Sequence, residues 1–288
     1  MKIGICGSTF DRNGYGRWGE DTYKKIKEHG FLYSDCDIAD TEYELYSVSD
    51  EEFERIFLNE KRLAEEAGVT INQVHGPWRW PPRDFTAEDR AERMEKMKKS
   101  IRAASILECK NWVIHPIMPF GVEDIDTGDA EKTWDMNVAF MKELLKTAKE
   151  YGVTICLENM PMLRFSLSSP ERILKLVEEI NDENFKICLD TGHVSVFGEE
   201  IDLAEEVKRL GDKIKVLHVH DNRNGIDLHL MPYYGIIDWN GFYKALKEIG
   251  YEGVFSLETT PSRSLPNYLF DEMGVTLYKI VKEITKED

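Results

Sequence analysis

The sequence has no CxxC pair, no run of lysines and arginines, and no apolar stretch that approaches a membrane span in length. The first absence removes the usual thiol-pair motif of a redox or metal site. The five cysteines (Cys6, Cys36, Cys109, Cys156 and Cys188) are odd in number and scattered, and Cys156 and Cys188 fall inside apolar strand patterns. They are expected to be buried thiols. The second absence, with a net charge of −17, leaves nothing to reverse a field that repels nucleic-acid phosphates and anionic membranes. The third goes with a start, MKIGICGSTF, that lacks a charged segment followed by a long apolar one, so a cytoplasmic protein without a membrane partner is expected.

What is present is a strict alternation. Strand-like runs begin near residue 2 (KIGIC), 31 (FLYSDCDI), 70 (TINQVH), 111 (NWVIHP), 154 (TICLEN), 185 (FKICLD), 214 (IKVLHVH) and 253 (GVFSLET). Between them lie helical patterns, clearest in EEFERIFLNEKRLAEEAG, AERMEKMKKSIRAASILE and NVAFMKELLKTAKEYG, where apolar residues recur at three- and four-residue spacing. Ser169-Pro170 supplies a helix start, and Gly30, Gly68, Gly152 and Gly250 stand where helices should stop. Eight strand-then-helix units predict an α/β fold, a single (β/α)8 barrel over residues 1–288. The second strand has the most polar pattern. With 42% apolar residues, the chain can bury one large core.

Nine potential metal ligands lie at the ends of these strands or in the loops just after them: His75, His115, Glu158, Asp190, His193, His218, Asp227, His229 and Glu258. A parallel barrel points the carboxyl ends of all its strands to one face, so residues distant in sequence converge on one pocket. One such residue serves equally well as a strand cap; nine at corresponding places point to a metal site. Four carboxylates and five imidazoles without a thiolate suit Mn²⁺ or Zn²⁺, with Mg²⁺ and Co²⁺ also compatible. We assign a central ion to Glu158, Asp190, His218 and Glu258. His75, His115, His193, Asp227 and His229 are left for a second site or for orienting substrate.

Trp78, Arg79 and Trp80 follow the third strand, Arg164 the fifth and Arg223 the seventh, with Tyr233 and Tyr234 beyond. Aromatic faces pack on the C–H faces of sugars, and guanidinium groups bind hydroxyl or carboxylate oxygens. Trp78, Trp80, Arg164, Arg223 and Tyr233 are therefore expected to bind substrate, a small sugar or polyol. The loop after the eighth strand, TTPSRSLPN, lacks the glycines with which barrels cradle phosphate. Ser262, Arg263 and Ser264 are its only candidates for an anion, so an unphosphorylated sugar or sugar acid is favoured. Exposed aromatics could form an interface, so a homo-oligomer is among the expectations.

The strings VHGP, HP, LENM, DTGH, LHVHD, DLH followed by DW, and SLET resemble the xylose isomerase-like barrel superfamily of sugar isomerases and epimerases, over essentially the whole chain. The superfamily includes endonucleases of the endonuclease IV type, and all nine residues match, in order, the ligands of that family's trinuclear zinc site. Two features depart from the pattern. Tyr233 and Tyr234 precede Gly235 where many relatives carry a Gly-Glu-Gly turn. Met160 stands two positions after Glu158 where the hydride-shift aldose isomerases carry lysine.

The resemblance implies a divalent-metal-dependent isomerase or epimerase that removes a proton α to a carbonyl through a metal-stabilised enediolate. Glu158 and Glu258 would be the proton-transfer pair on opposite sides of the substrate, and His193 would orient a substrate oxygen. The same intermediate serves a dehydratase or lyase acting on a keto-sugar or keto-polyol. An endonuclease IV-like phosphodiester hydrolase is the third alternative; the acidic charge opposes it, and no nucleic-acid partner is expected.

Overall fold

The computed structural model describes residues 1–10, 20–42, 44–198, 201–223, 225–259 and 265–286. Ser262, Arg263 and Ser264 lie outside them. The eight expected strands are β1 (Lys2–Cys6), β2 (Tyr33–Asp37), β3 (Thr70–His75), β4 (Asn111–Ile114), β5 (Thr154–Glu158), β6 (Phe185–Asp190), β7 (Ile214–His218) and, after two further strands, β10 (Val254–Leu257). They form one parallel sheet in the order β10-β1-β2-β3-β4-β5-β6-β7. The ring closes just past β7, where Val219 N–H donates to the Ser256 carbonyl (2.8 Å) and Glu258 N–H to the Val219 carbonyl (2.9 Å). The fold is a (β/α)8 TIM barrel.

Each strand is followed by its helix: α1 (Glu20–Glu28), α2 (Asp50–Ala67), α3 (Ala87–Ile106), the one-turn α4 (Asp124–Thr127) with α5 (Ala130–Glu150), α6 (Pro170–Ile180), the short α7 (Thr191–Ser195) with α8 (Leu203–Leu210), α9 (Trp239–Glu248) and α10 (Asn267–Ile284). Local chemistry sets their ends. Ser49 caps α2, and Gly68 ends it with φ at +69°, a conformation that costs glycine nothing. The Thr86 and Asp89 side chains close a reciprocal capping box on α3, so that helix starts four residues before its apolar periodicity does. Ser169 caps α6, with Pro170 at its first position.

Alternation along the strands sorts the core. Trp112, Ile114, Ile155, Leu157, Ile187 and Leu189 belong to the large core cluster shared with the helices, while Val113, Cys156, Cys188 and Val216 form a separate cluster. All five cysteines are buried free thiols, and Cys156 and Cys188 act as small apolar fillers. No helix among the described residues is long and apolar enough to cross a membrane.

One element lies outside the eightfold alternation. β8 (Asp221–Arg223) and β9 (Ile226–Leu230) pair antiparallel as a hairpin after β7. It carries Asp227 and His229 back toward the barrel mouth.

Candidate metal centre

The nine sequence-predicted ligands meet at the carboxyl end of the barrel. His75, Glu158, Asp190 and His218 are the last residues of β3, β5, β6 and β7; His115 and Glu258 directly follow β4 and β10. His193 sits in α7, whose first turn is capped by Asp190 Oδ1, an acceptor from His193 N–H at 2.6 Å. Asp227 and His229 come from the hairpin.

The nine fall into three groups that touch. Glu158, Asp190, His218 and Glu258 have ligand atoms within 4.8 Å of one another; His218 Nδ1 lies 3.1 Å from Glu158 Oε1, 2.8 Å from Glu258 Oε2 and 4.0 Å from Asp190 Oδ2. The other Glu158 oxygen faces a second group, 3.4 Å from His75 Nε2 and 3.2 Å from His115 Nε2. In the third group, Asp227 Oδ2 lies 3.4 Å from both His193 Nε2 and His229 Nε2. Glu158 thus bridges the first two groups. Asp190 links the first to the third, because His193 Nδ1 is 3.6 Å from its Oδ1.

Backbone carbonyls fix the tautomers. His75 Nδ1–H donates to the Gly76 carbonyl (2.8 Å), His193 Nδ1–H to the Asn159 carbonyl (2.7 Å) and His229 Nδ1–H to the Glu258 carbonyl (2.8 Å). A carbonyl can only accept, so in each ring Nε2 is left turned toward the carboxylates, the arrangement that orients metal-binding histidines. Glu158 Oε2 and Glu258 Oε2 are buried without an aligned hydrogen-bond donor. Two buried, unsatisfied carboxylate oxygens among imidazole nitrogens fit a divalent cation, which supplies the charge that burial otherwise makes costly.

Without a cation, protons supply that charge. Burial alone lowers an imidazole, but the Asp190 and Asp227 carboxylates outweigh it and hold His193 up to about 10. Against the same burial, Asp227 and Glu258 hold His229 up to about 9. For His115 burial wins over Glu158, and its ring falls to about 4. Burial acts to raise Glu158 and Glu258, yet His218 first, with His115 for the one and His229 for the other, holds both well below the ordinary carboxylate range.

A pH dependence follows. His193 and His229 titrate above the ~6.5 of a free imidazole, so their charged pairing stabilises the fold in full below about pH 6.5 and fades as pH rises through about 9 and about 10. Calorimetry of chelator-treated protein should show the melting temperature falling between pH 8 and 10.5, as order-of-magnitude bounds on that window. Saturating divalent ion should abolish the fall.

The centre opens into a cavity of about 510 Å³. Its walls include Trp78, Trp80, Met160, Pro161, Met162 and Val196. Trp78 packs edge-on against His115 at 4.5 Å between centroids. The other expected substrate contacts are placed elsewhere. Arg164 is exposed and pairs with Asp126 of α4 and with Glu123 just before it. Arg79 is tied to Glu92 and Thr41, and Arg223 and Tyr233 are exposed. None of the four lines this cavity, and among the described residues no lysine or arginine does.

Two polar groups outside the nine join the centre. His220 is fully buried, donates or accepts through Nε2 at 3.0 Å from Asp190 Oδ2, and stacks on His229 at 4.0 Å with 5° between the rings. Its signal was its spacing, since residues two apart on an extended strand share a face, here His218 and His220. Asp35, on β2, lines the cavity floor and accepts from Gln73 (2.7 Å) and Ser256. Burial lifts its carboxyl to about 6 despite those donors.

The sequence matches the family described as xylose isomerase-like TIM barrel over residues 23–276. An uncharacterized protein of Methanocaldococcus jannaschii, MJ1311, is 32% identical over 187 residues, 64% of this chain and 63% of its own. The D-psicose 3-epimerase of Enterocloster bolteae is 30% identical over 119 residues, 41% of this chain and 37% of its own. The match spans less than two thirds of either relative's length. A crystal structure of a D-tagatose 3-epimerase-like protein superposes with a TM-score of 0.74 at 26% identity, covering 99% of this chain and 100% of that one.

Proposed function

The chain belongs to the xylose isomerase-like TIM barrel family, and from that premise we propose that it is a divalent-metal-dependent sugar epimerase or isomerase that moves a proton at the carbon next to a carbonyl. The observation that carries this reading is the pair Glu158 and Glu258. Glu158 is buried and Glu258 half-buried beside His218 Nδ1, at 3.1 and 2.8 Å, on one cavity of about 510 Å³. Two strands, β6 and β7, separate them around the ring, so they approach a bound sugar from different directions. Beside His218 both are ionised at neutral pH, the state in which a carboxylate can take up a proton.

Glu158, Asp190, His218 and Glu258 would hold the divalent ion, which would supply Lewis-acid polarisation of a carbonyl and its neighbouring hydroxyl and so acidify the C–H of the hydroxyl-bearing carbon. Glu158 removes that proton and Glu258 returns one from its own side, or the reverse. His193 orients a substrate oxygen, directly or through an ion held by the third group, while Trp78 and Trp80 cover the sugar's C–H face. Met160 is buried in the wall and offers no charge, which supports proton transfer over hydride shift. The lack of lysine and arginine along the cavity among the described residues supports a neutral sugar or polyol over a phosphorylated or carboxylated one. Relatives described as a D-psicose 3-epimerase and a D-tagatose 3-epimerase-like protein support the same class.

The assembly of all nine residues into three touching groups also favours a second reading, multi-ion phosphodiester hydrolysis. The net charge of −17 weighs against it, because DNA must approach a strongly negative molecule. One preparation separates the two. With Mn²⁺, a panel of ketoses and inosose-like compounds should yield an epimer or isomer by NMR, activity should vanish on chelation, and an abasic duplex at moderate salt should stay intact. Metal-dependent nicking that vanishes in Glu258→Gln, with no sugar turned over, reverses the ranking.

A further inference from the structure

We propose that Asn222 is a positioning residue that sets whether the third group, His193, Asp227 and His229, takes up a metal ion. The inference rests on the reading of the centre as a holder of divalent ions and is independent of its sugar chemistry. Asn222 opens the hairpin next to Asp221 and is fully buried. Its side chain uses every bond it makes on the stretch that presents the group. Nδ2 donates to Asp227 Oδ1 at 3.0 Å, and Oδ1 accepts from Leu228 N–H at 2.6 Å and His229 N–H at 3.1 Å. Because Oδ1 of Asp227 is occupied in this way, Oδ2 is the oxygen turned to His193 and His229.

The backbone at this point needs such a splint. His229 has φ at +48°, a left-handed conformation that is sterically unfavourable for a residue with a Cβ. The Asn222 bond to its N–H, the Thr259 hydroxyl on its carbonyl (2.7 Å) and the Glu258 carbonyl on its ring (2.8 Å) hold it there. The strained turn aims Nε2 at Asp227 instead of out into solvent. Asp221 anchors the other side of Asn222: its carboxylate accepts from the N–H groups of Asn222, Tyr233, Ile236 and Ile237 and from the Trp239 indole, at 3.0 to 3.2 Å. The hairpin is therefore fixed to the barrel at its first residue, and Asn222 passes that rigidity to the ligand pair.

The test is a cobalt(II) titration of the full-length, chelator-stripped chain, read by visible absorption and by metal content after dialysis. Wild type should take up at least two ions per chain, and His193→Ala should weaken one of them, which identifies the third-group step. Asn222→Ala should weaken that same step by about 10- to 100-fold, the range for residues that orient ligands, with the remaining step unchanged as an internal sign of a folded centre. Asn222→Leu is the control of similar size: it keeps the volume but loses both the donor to Asp227 and the acceptor for Leu228 and His229, so it should weaken the step as well. Uptake of a single ion by wild type, or wild-type affinity at every step in Asn222→Ala or Asn222→Leu, overturns the proposal. Neither outcome bears on whether a ketose is turned over, which the substrate panel decides separately.

Discussion

Glu158→Gln and Glu258→Gln should each lower kcat for the ketose that is turned over by about 10²- to 10⁴-fold, the contribution of a positioned general acid or base. Glutamine keeps the size and the carbonyl oxygen of each side chain, so packing at the ends of β5 and β10 is retained, but neither amide can take up a proton. Both residues also face imidazoles, at 3.1 and 2.8 Å from His218, so metal content must be measured beside rate. A variant that holds its metal and its KM yet has lost kcat isolates the proton-transfer role. Full activity in both variants removes the pair from the mechanism.

The largest loss of stability is expected at a pair remote from substrate. Arg93 on α3 and Asp84 are both buried, with Arg93 Nη1 donating to Asp84 Oδ2 at 2.5 Å. The same oxygen accepts from Met118 N–H at 2.9 Å, and Arg93 Nη2 reaches the His115 carbonyl at 3.4 Å. The pair thus ties α3 to the loop that carries His115. Arg93→Ala leaves the Asp84 carboxylate buried and unpaired, which costs about 3–5 kcal/mol. Urea unfolding should show that loss, and the variant should bind metal more weakly because His115 is no longer held. A loss under about 1 kcal/mol would mean that water reaches Asp84 and the pair behaves as a surface one.

The barrel and the nine-residue constellation are legible in the sequence for one physical reason. Strand and helix periods differ, so eight alternations can be read directly, and a parallel barrel then forces strand-end residues such as Glu158 and Asp190 to one face. The expected strand FLYSDCDI narrows to Tyr33–Asp37, and its inward Asp35 is bonded to Gln73 and Ser256, a polar pattern that periodicity in apolar residues does not reveal. The hairpin carries a turn signal, the Asn-Gly pair at 224–225, but its strands are too short and polar to register as a ninth and tenth element. Loop charges were the least legible. Arg164 follows β5 as a substrate contact would, yet its partners Asp126 and Glu123 lie in and just before α4, after β4, and sequence spacing says nothing about which segments meet.

The central claim is that Glu158 and Glu258 exchange a substrate proton with solvent. It is tested most directly by running the Mn²⁺ reaction on the ketose panel in D₂O and locating deuterium by NMR. The account predicts deuterium at the carbon α to the carbonyl, appearing with turnover and absent in Glu158→Gln and Glu258→Gln. Product formed with no deuterium from solvent, the mark of a hydride shift, would contradict it.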